Sequence, residues 1–440
     1  MARIGIFGAG YVGLVTGTCF ASLGHDVVVR DVVPEKIDAL CRGEIPIYEP
    51  GLEELLAANR DRIDFTIDVA EAIAGADFLY VAVGTPPTYS GDADLSAVWT
   101  VVEELAAVAG SPIVVMKSTV PVGTGDKVRV ALDARGLTQI GYVSNPEFLA
   151  EGTALRDFIQ PDRIVIGAFD SEDGDRVEEL HASLDAPVVR CDVNSAEMVK
   201  LAANAFLSTR ISFINEIANV CELVGADVES VAKGVGLDHR LGPHFLRAGI
   251  GFGGSCFPKD VSALKQLAGN SGYHFQLLSA VIEVNELQKR RVIAKLQKHL
   301  GRLRGKTIAL LGLAFKPDTD DLREAPSLVI AARLSAEGAE VRTWDPVVDG
   351  SDIQGVTPCP TVLEAVRGAD AAVIVTEWSE LAGLANDEVR EAMARPLIVD
   401  GRNLLDPAAT RAAGFAYEGI GRNGSSFETL PETAEPELRI

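Results

Sequence analysis

The sequence is poor in cysteine and has no cysteine pair of the CxxC type. Its six cysteines lie far apart in a chain of 440 residues: Cys19, Cys41, Cys191, Cys221, Cys256 and Cys359. This spacing predicts neither a disulfide framework nor a zinc site. The six histidines are equally dispersed and form no HExxH motif, so we expect no bound metal. Such cysteine usage is typical of a reducing compartment, and we expect a cytoplasmic protein.

Long apolar runs and net positive charge are also missing. Because no apolar run reaches about 18 residues, we expect no membrane span. The N-terminus enters a strand pattern at once and predicts no secretion signal. The formal net charge is −23 at pH 7, which argues against nonspecific binding to nucleic acid or anionic membrane. With 47% hydrophobic and 23% charged residues, the composition is that of a folded protein.

Two regions of alternating strand and helix patterns flank a helical middle. Strand patterns in the first region cover residues 3–8, 25–31, 78–83, 112–117 and 140–143. In the second region they cover residues 307–312, 341–345, 371–376 and 397–400. Residues 195–224 keep helical spacing without proline or glycine. We therefore predict an α/β protein: two Rossmann-like, doubly wound parallel-sheet domains joined by a helical middle with a long bridging helix.

The length of the chain predicts two or three domains. We expect an N-terminal domain at 1–194, a helical region at 195–300 and a C-terminal α/β domain at 301–421. The polar tail at 422–440 contains Pro431 and Pro436, and we expect it to be disordered or loosely attached.

A GxGxxG motif, residues 8–13, directly follows the first predicted strand and precedes a helix. In this context it predicts a dinucleotide site, where glycines permit a tight turn and the helix N-terminus faces the pyrophosphate. Asp31 ends the second predicted strand, where a carboxylate binds the ribose 2′-hydroxyl and repels a 2′-phosphate. NAD is therefore favoured over NADP, although Arg30 is a possible partner for that phosphate. The alternative is a tight turn in an α/β domain without a ligand.

Residues 253–260, GGSCFPKD, carry the most informative cysteine. Pro258 suits the first position of a helix, which places Cys256 just before the helix N-terminus. That position and nearby Lys259 favour the thiolate. Asp260 lies one helical turn beyond Cys256 and can face the sulfur. The alternative is a buried cysteine in a loop at the start of a helix.

Further polar residues recur at spacings that suit a site. Lys200 and Asn204 share one face of the long helix. Glu147 and Glu151 follow a strand at the edge where α/β proteins bind ligands. Three basic residues of the C-terminal region suit a phosphate: Lys316, Arg323 and Arg402. The alternatives are a lysine that reaches solvent along an apolar face, acids at a helix start, and solvated loops.

Six segments together resemble the UDP-glucose/GDP-mannose dehydrogenase superfamily over nearly the whole chain: residues 8–13, 83–86, 118–124, 145–152, 251–260 and 315–326. The resemblance implies a Rossmann domain for NAD, a helical dimerisation region and a C-terminal domain for the UDP-sugar. It implies oxidation of a nucleotide sugar to the acid by two successive NAD reductions. Residues 240–254 resemble the UDP-glucose members, and Ser255 stands where the N-acetylmannosamine members usually have histidine.

The resemblance also implies roles for individual residues. Cys256 would be the nucleophile, Lys200 and Asn204 would stabilise an oxyanion, and Asp260 would orient or activate water. Glu147 would promote thioester hydrolysis, with Thr119 holding water. The cofactor residues would be Gly8, Gly10, Tyr11, Val12, Gly13, Asp31, Lys36, Thr85, Thr119, Glu151, Lys259 and Arg323. The substrate residues would be Phe148, Leu149, Glu151, Lys200, Asn204, Arg240, Phe245, Leu246, Gly249, Phe252, Gly253, Phe315, Lys316 and Arg402.

Three other functions compete with oxidation of UDP-glucose to UDP-glucuronate. One is the same reaction on another UDP- or GDP-hexose, and another is a single-step alcohol dehydrogenase that releases the aldehyde. The third is a nucleotide-sugar binding protein without catalysis. We expect a homodimer or a higher homo-oligomer formed through the helical middle, in which Arg240 reaches the neighbouring subunit's substrate.

Overall fold

The computed structural model describes residues 1–422, so the predicted tail lies outside the described residues except for Arg422. Contacts divide the chain into two compact units. The first comprises Met1–Ser208, Ser255–Ile282 and Asp318–Asp320. The second comprises Thr209–Gly254, Glu283–Pro317 and the described chain from Asp321 onward.

The first unit is built on an eight-stranded sheet in the order β3-β2-β1-β4-β5-β6-β7-β8. Its strands are Arg3–Phe7 (β1), Asp26–Arg30 (β2), Ile63–Thr66 (β3), Phe78–Val81 (β4), Ile113–Met116 (β5), Gly141–Ser144 (β6), Ile164–Ala168 (β7) and Val188–Cys191 (β8). β4 and β5 are buried along their whole length, as expected for strands covered on both faces. The order of the first six strands is that of a dinucleotide-binding Rossmann fold.

One strand pairing departs from the predicted parallel sheet. β6 pairs with β7 in the antiparallel direction, and β8 then runs parallel to β7. Because β7 is reversed, its first residues lie at the same edge as the carboxyl ends of β5 and β6. This reversal brings Arg163, which directly precedes β7, to the edge of the sheet that carries the predicted site.

Helices cover the sheet of the first unit and continue into a helical region. The helices between its strands are Tyr11–Ser22 (α1), Pro34–Cys41 (α2), Leu52–Ala58 (α3), Val69–Ile73 (α4), Ser96–Glu104 (α5), Thr124–Ala134 (α6), Ala154–Ile159 (α7) and Ser171–Leu180 (α8). The helical region contains Val193–Val224 (α9), Val228–Gly236 (α10), Phe257–Asn270 (α11), Gln276–Gln288 (α12) and Arg291–Leu300 (α13). Short 3-10 helices cover Arg60–Arg62, Leu105–Ala107 and Ser379–Gly383.

The long helix α9 has 32 residues and begins two residues before the predicted start at 195. In the first unit it packs on α11 through a small apolar cluster that includes Leu201, Ala205, Val261 and Leu264. This packing fixes the start of α11, and with it Cys256, against the part of α9 that carries Lys200 and Asn204.

The second unit contains a six-stranded, wholly parallel sheet in the order β11-β10-β9-β12-β13-β14. Its strands are Thr307–Leu311 (β9), Glu340–Trp344 (β10), Val356–Pro358 (β11), Ala371–Ile374 (β12), Leu397–Asp400 (β13) and Ala416–Glu418 (β14). The accompanying helices are Pro326–Ala336 (α14), Val362–Val366 (α15), Asp387–Ala392 (α16) and Pro407–Ala412 (α17). The strand order repeats that of β1–β6, so the predicted pair of doubly wound α/β modules is confirmed.

Candidate active site

The glycine-rich loop joins β1 to α1. Gly8 has φ +105°, which an L side chain rarely adopts, and its N–H donates to Arg30 O at 2.7 Å. A Cβ at Gly13 would lie 1.8 Å from Gly8 O, so this position requires glycine for α1 to pack on the loop. A Cβ at Gly10 would meet no protein atom within 4 Å. Gly10 therefore keeps a space beside the helix N-terminus open, as a bound pyrophosphate requires.

Asp31 follows β2 and ties the glycine loop to the start of α2. Its Oδ2 accepts from Ala9 N at 2.8 Å, and its Oδ1 accepts from Val33 N at 3.1 Å. Lys36, also predicted to serve the cofactor, pairs with Asp31 at 3.1 Å. Arg30 instead makes a two-pronged ion pair with Glu104, at 2.9 and 2.8 Å. The guanidinium is thus engaged away from Asp31, which supports the preference for NAD.

Other predicted cofactor residues connect the loops at this edge of the sheet. Tyr11, in the first turn of α1 beside Val12, accepts from Gly152 N at 2.8 Å through its hydroxyl. Thr85 donates to Thr119 O at 2.8 Å, so the loops after β4 and β5 are held together. Glu151 accepts from Ser255 and Thr319 at 3.1 and 2.9 Å.

The predicted catalytic residues meet in two buried pairs near Cys256. Lys200 Nζ lies 2.8 Å from Glu147 Oε1, and both side chains are about 95% buried (4% and 5% exposed). Asn204 Nδ2 donates to Asp260 Oδ2 at 2.6 Å. Lys259 pairs with the other oxygen of Asp260 at 2.5 Å. The i, i+4 spacing on α9 thus directs an ammonium and an amide toward separate carboxylates.

Cys256 stands at the N-cap position of α11 without a capping hydrogen bond from its side chain, and the helix begins at Phe257, one residue earlier than predicted from Pro258. The expected preference for the thiolate was wrong. Burial raises the pKa of the Cys256 thiol, and the charge of Glu147 raises it further, while Lys200 opposes them. Lys259, to which we attributed the thiolate, is paired with Asp260.

The Lys200–Glu147 pair holds both groups in their charged forms. Burial alone would raise the pKa of Glu147, but Lys200 and the N–H of Leu149, which donates to Glu147 at 2.6 Å, lower it overall. Burial would lower the pKa of Lys200, but Glu147 raises it overall, with smaller contributions from Cys256 and Asp260. Glu147 follows β6 in an extended loop, and the ion pair fixes its side chain.

Sequence reasoning missed two cations of this cluster. Lys117 follows β5, is 6% exposed and donates to Asn145 Oδ1 at 2.9 Å. The guanidinium of Arg163 lies 3.5 Å from the centre of the Phe148 ring, and Lys200 lies 5.5 Å from that centre. Lys117 ends the predicted strand 112–117 and directly precedes the recognition segment 118–124, so a charged residue at the end of a buried strand was a usable signal. Arg163 had none, because its position depends on the reversal of β7.

The predicted substrate residues of the second unit lie on loops at the carboxyl edge of its sheet. Arg402 donates to Val375 O at 2.7 Å, Gly251 O at 3.0 Å and Phe315 O at 3.3 Å, so it ties three loops together. The Phe315 ring packs on Gly254, where a Cβ would lie 2.7 Å from it. Lys316 Nζ lies 5.7 Å from the centre of that ring.

Residues 249–253 are held by buried amide side chains in the second unit. Gly249 N donates to Asn215 at 2.8 Å, and Phe252 N donates to Asn285 at 2.8 Å. Leu246 is buried, whereas Phe245 is 40% exposed with φ +60°. A Cβ at Gly253 would lie 2.3 Å from Glu324 O.

Two predicted basic residues of the second unit are largely exposed. Arg240 pairs with Asp238 at 2.6 Å, and Arg323 pairs with Asp321 at 2.8 Å. The structure therefore places each guanidinium group in a local ion pair with the aspartate two residues before it in the chain.

The second unit also has an aspartate after the second strand of its sheet, but this aspartate has different hydrogen-bond partners from Asp31. Asp345 follows β10 as Asp31 follows β2. Its two oxygens accept from the N–H groups of four residues and the indole of a fifth: Leu313, Ala314, Val347, Val348 and Trp378.

The first unit thus has the loop, helix and carboxylate of a dinucleotide-dependent dehydrogenase. Within residues 1–422, no group of histidine, cysteine, aspartate or glutamate side chains could hold a metal. No helix of this described part is long and apolar enough to cross a membrane.

Sequence models of one family match three successive parts of the chain. The NAD binding domain of the UDP-glucose/GDP-mannose dehydrogenase family matches residues 2–185, its central domain residues 194–287 and its UDP binding domain residues 309–407. The chain belongs to this family, and it is an NAD-dependent dehydrogenase.

Individual relatives are similar over almost their whole length. The UDP-glucose 6-dehydrogenase TuaD of Bacillus subtilis is 48% identical, with 96% of this chain and 94% of the relative covered. The solved UDP-glucose dehydrogenase of the archaeon Pyrobaculum islandicum is 38% identical with a TM-score of 0.90, covering 96% and 98%. A UDP-D-ManNAc dehydrogenase from Pyrococcus horikoshii is 30% identical with a TM-score of 0.85, covering 96% and 100%.

Proposed function

We propose that this enzyme oxidises the C6 hydroxyl of UDP-glucose to the carboxylate of UDP-glucuronate, with Cys256 as a covalent nucleophile. The observation that carries the proposal is the presence of two buried polar interactions near Cys256. One is the ion pair of Lys200 with Glu147, and the other is the hydrogen bond of Asn204 to Asp260. Relatives at 38% to 48% identity that are named for this substrate support the choice of sugar.

NAD, when bound, accepts a hydride, and two NAD molecules are used per sugar. The fit of NAD rests on the open space at Gly10 and on Asp31. The loss of the first hydride and of the hydroxyl proton makes an aldehyde. The Cys256 thiol then loses its proton to solvent as its sulfur bonds to the aldehyde carbon, and Lys200 and Asn204 stabilise the negative oxygen that forms. Loss of the second hydride from this carbon leaves a thioester on Cys256.

Hydrolysis of the thioester completes the reaction. A water oxygen bonds to the carbonyl carbon, the carbon–sulfur bond breaks, and the sulfur leaves with the electron pair. Glu147 accepts the proton of the water, while Asp260 and Thr119 orient the water. For Glu147 to act as base, Lys200 must exchange its ion pair for the substrate oxygen.

The second unit supplies the recognition of the UDP group. Its Phe315, Lys316 and Arg402 lie on loops after parallel strands, where α/β domains bind ligands. Residues 245–253 stay predicted substrate residues, as do Phe148 and Leu149.

The reaction stoichiometry tests the proposal. We expect two NADH per UDP-glucose consumed and no aldehyde trapped by a carbonyl reagent. One NADH per sugar with trapped aldehyde would instead indicate a single-step alcohol dehydrogenase. Absence of NADH formation with every nucleotide sugar would indicate a binding protein.

The choice of sugar is tested with a panel of UDP- and GDP-hexoses. We expect the highest kcat/KM with UDP-glucose, since the residue before Cys256 is Ser255 rather than histidine. A higher kcat/KM for UDP-N-acetylmannosamine, the sugar named for the P. horikoshii relative, would contradict the assignment.

We further propose a homodimer formed through α9. Phe206, Phe213 and Val220 follow one another at intervals of seven residues, so they share one helix face. They are 63%, 53% and 51% exposed, and Leu223 near the end of α9 is 86% exposed. An apolar stripe of this kind on a folded chain is typical of a protein interface. The free cysteines and the dependence on NAD support a cytoplasmic location.

A further inference from the structure

Lys117 is a buried cation to which the proposed reaction gives no role. It directly follows β5, and Asn145 directly follows the neighbouring strand β6. Met116 and Ser144, the last residues of these strands, are register partners. The two side chains therefore leave adjacent strands at the same edge of the sheet, beside the loop that carries Glu147.

The side chain of Asn145 is held in one orientation. Its Nδ2 donates to Val165 O at 2.8 Å, and its main-chain N donates to Met116 O at 2.9 Å. The amide oxygen is thus turned toward Lys117 Nζ, which donates to it at 2.9 Å. The side chain of Lys117 is anchored by a neutral acceptor, so its charge is not cancelled by a direct ion pair with this partner.

The charge of Lys117 affects the pKa values of neighbouring groups, and their charges affect its own pKa. Burial lowers the pKa of Lys117 to about 8, with Glu147 raising it and Lys200 lowering it. Lys117 in turn contributes to the lowered pKa of Glu147. Burial lowers the pKa of His181 to about 4, with a smaller contribution from Lys117, so this histidine is neutral near pH 7.

In the proposed reaction, Lys200 leaves Glu147 to stabilise the oxygen of the reacting carbon. Glu147 is then a buried carboxylate without its ion pair, and burial favours its protonated form. A protonated Glu147 cannot accept the proton of the attacking water. A second positive charge near Glu147 would favour its ionised form at that stage.

We propose that Lys117 is a positioning residue that supplies this charge, with Asn145 holding its ammonium in place. The proposal rests on the proposed function, because it requires Lys200 to move and Glu147 to act as base. The hydrolysis of the thioester depends on Lys117, whereas the binding of UDP-glucose and the formation of the thioester do not.

The test measures the decay of the Cys256 thioester as a function of pH. Enzyme, UDP-glucose and NAD are mixed, quenched at intervals and followed by intact-protein mass spectrometry, in parallel with steady-state kcat and KM. Four proteins are compared: the unsubstituted enzyme, Lys117→Met, Lys117→Arg and Asn145→Asp. Four titratable or charged groups interact electrostatically with Glu147 and contribute to the pH profile: Lys200, Lys117, Arg163 and the Cys256 sulfur. His181 interacts in the same way with Lys117.

The rate of thioester decay should fall at low pH, where Glu147 is protonated; we call this part of the pH profile the acid limb. In Lys117→Met, we expect the acid limb to move to higher pH by about one unit, so that decay at a given pH on it is roughly tenfold slower. KM for UDP-glucose and the rate of thioester formation stay within about twofold. Lys117→Arg keeps the charge and restores the limb. Asn145→Asp places a carboxylate on the ammonium, cancels its charge and reproduces the effect of Lys117→Met, even if the methionine variant does not fold.

Two results would overturn the inference, and they are distinguishable. If the limb stays in place in both Lys117→Met and Asn145→Asp while a thioester forms and decays, Lys117 is structural only and the proposed function stands. If the unsubstituted enzyme, quenched within its first turnover, never carries a sugar on Cys256, the proposed function fails and this inference fails with it.

Discussion

A buried network of charges decides the reactivity of Cys256 at the scale of single residues. Since burial and Glu147 raise the pKa of the thiol, we expect the free enzyme to react slowly with iodoacetamide at neutral pH. The rate of alkylation should rise with pH through a midpoint above the usual value for cysteine. Peptide mass spectrometry measures this rate at Cys256, and Cys256→Ala supplies the background.

Glu147→Gln should move that midpoint downward, because it removes a negative charge that raises the pKa of Cys256. In turnover the same variant should accumulate a sugar–enzyme species, since the thioester forms but hydrolyses slowly. If Glu147→Gln turns over slowly without a mass shift, Asp260 becomes the better candidate for the base.

Cys256→Ser should lose turnover strongly with nearly unchanged affinity for the sugar, because a hydroxyl is a far poorer nucleophile at neutral pH.

Asp31 combines two roles that two substitutions can separate. Asp31→Ala removes both the acceptor for Ala9 N and the charge that repels a 2′-phosphate. We expect the unsubstituted enzyme to prefer NAD over NADP by at least about tenfold, or roughly 1.4 kcal/mol. In Asp31→Ala we expect a higher KM for NAD and a smaller preference for NAD over NADP. Asp31→Asn keeps an acceptor oxygen and should narrow the preference with a smaller loss of NAD binding. Equal use of both cofactors by the unsubstituted enzyme would contradict the role of Asp31.

At the scale of elements, the glycines of the first loop offer a matched pair. Gly13→Ala would force a Cβ to within 1.8 Å of Gly8 O, so α1 must move away from β1. Gly10→Ala meets no protein atom within 4 Å and leaves the fold unstrained. We expect a clear loss of thermal stability for Gly13→Ala, and an unchanged melting temperature with a raised KM for NAD for Gly10→Ala. Equal destabilisation by both would show that Gly10 serves the fold.

The start of α9 caps the start of α6 through a carboxylate that titrates near neutrality. Glu197 accepts from Gly123 N and Gly125 N at 2.7 and 2.8 Å, yet burial raises its pKa to about 7. Because the pKa is raised in the folded state, this group stabilises the fold below about pH 4.5, and that contribution is lost as the pH rises through 7. Denaturant unfolding of Glu197→Gln should lack this pH-dependent part, which amounts to at most about 3 kcal/mol. Identical slopes for the two proteins between pH 5 and 8 would contradict the shift.

The sequence analysis predicted most elements that are long or strongly patterned and missed short strands, but it also missed β7, a buried strand of five residues. β1, β2, β4 and β5 are buried runs next to turn motifs, and α9 keeps its period over 32 residues. β11 has three residues, two of them exposed, and β8 is nowhere fully buried, so neither shows a clear hydrophobic pattern. The reversal of β7 depends on pairing between distant segments. For that reason Arg163 could not be assigned to the site, whereas Cys256, Lys200 and Asn204 were recognised from local motifs and helical spacing.

At the scale of the whole molecule, α9 provides the test of assembly. Phe213→Glu places a charge in the middle of the exposed apolar stripe and should shift the sedimentation coefficient from dimer to monomer at micromolar concentration. Val130→Glu on α6 is the control, since Val130 is 68% exposed but does not belong to the stripe. A monomer in the unsubstituted protein would refute the proposed dimer.

The two α/β modules share a strand order and an aspartate after the second strand, and this shared plan has a consequence for their divergence. Asp31 receives three donors, from Ala9, Val33 and Lys36, which leaves room for a ribose hydroxyl on a carboxylate with about four acceptor positions. Asp345 receives five donors from its own module. The Asp345 carboxylate therefore holds the loops of its module together, and it has no acceptor position left for a cofactor. The corresponding position thus leaves an acceptor open in one module and holds the loops of the other together, so building a cofactor site in the second module would first require removing donors from Asp345.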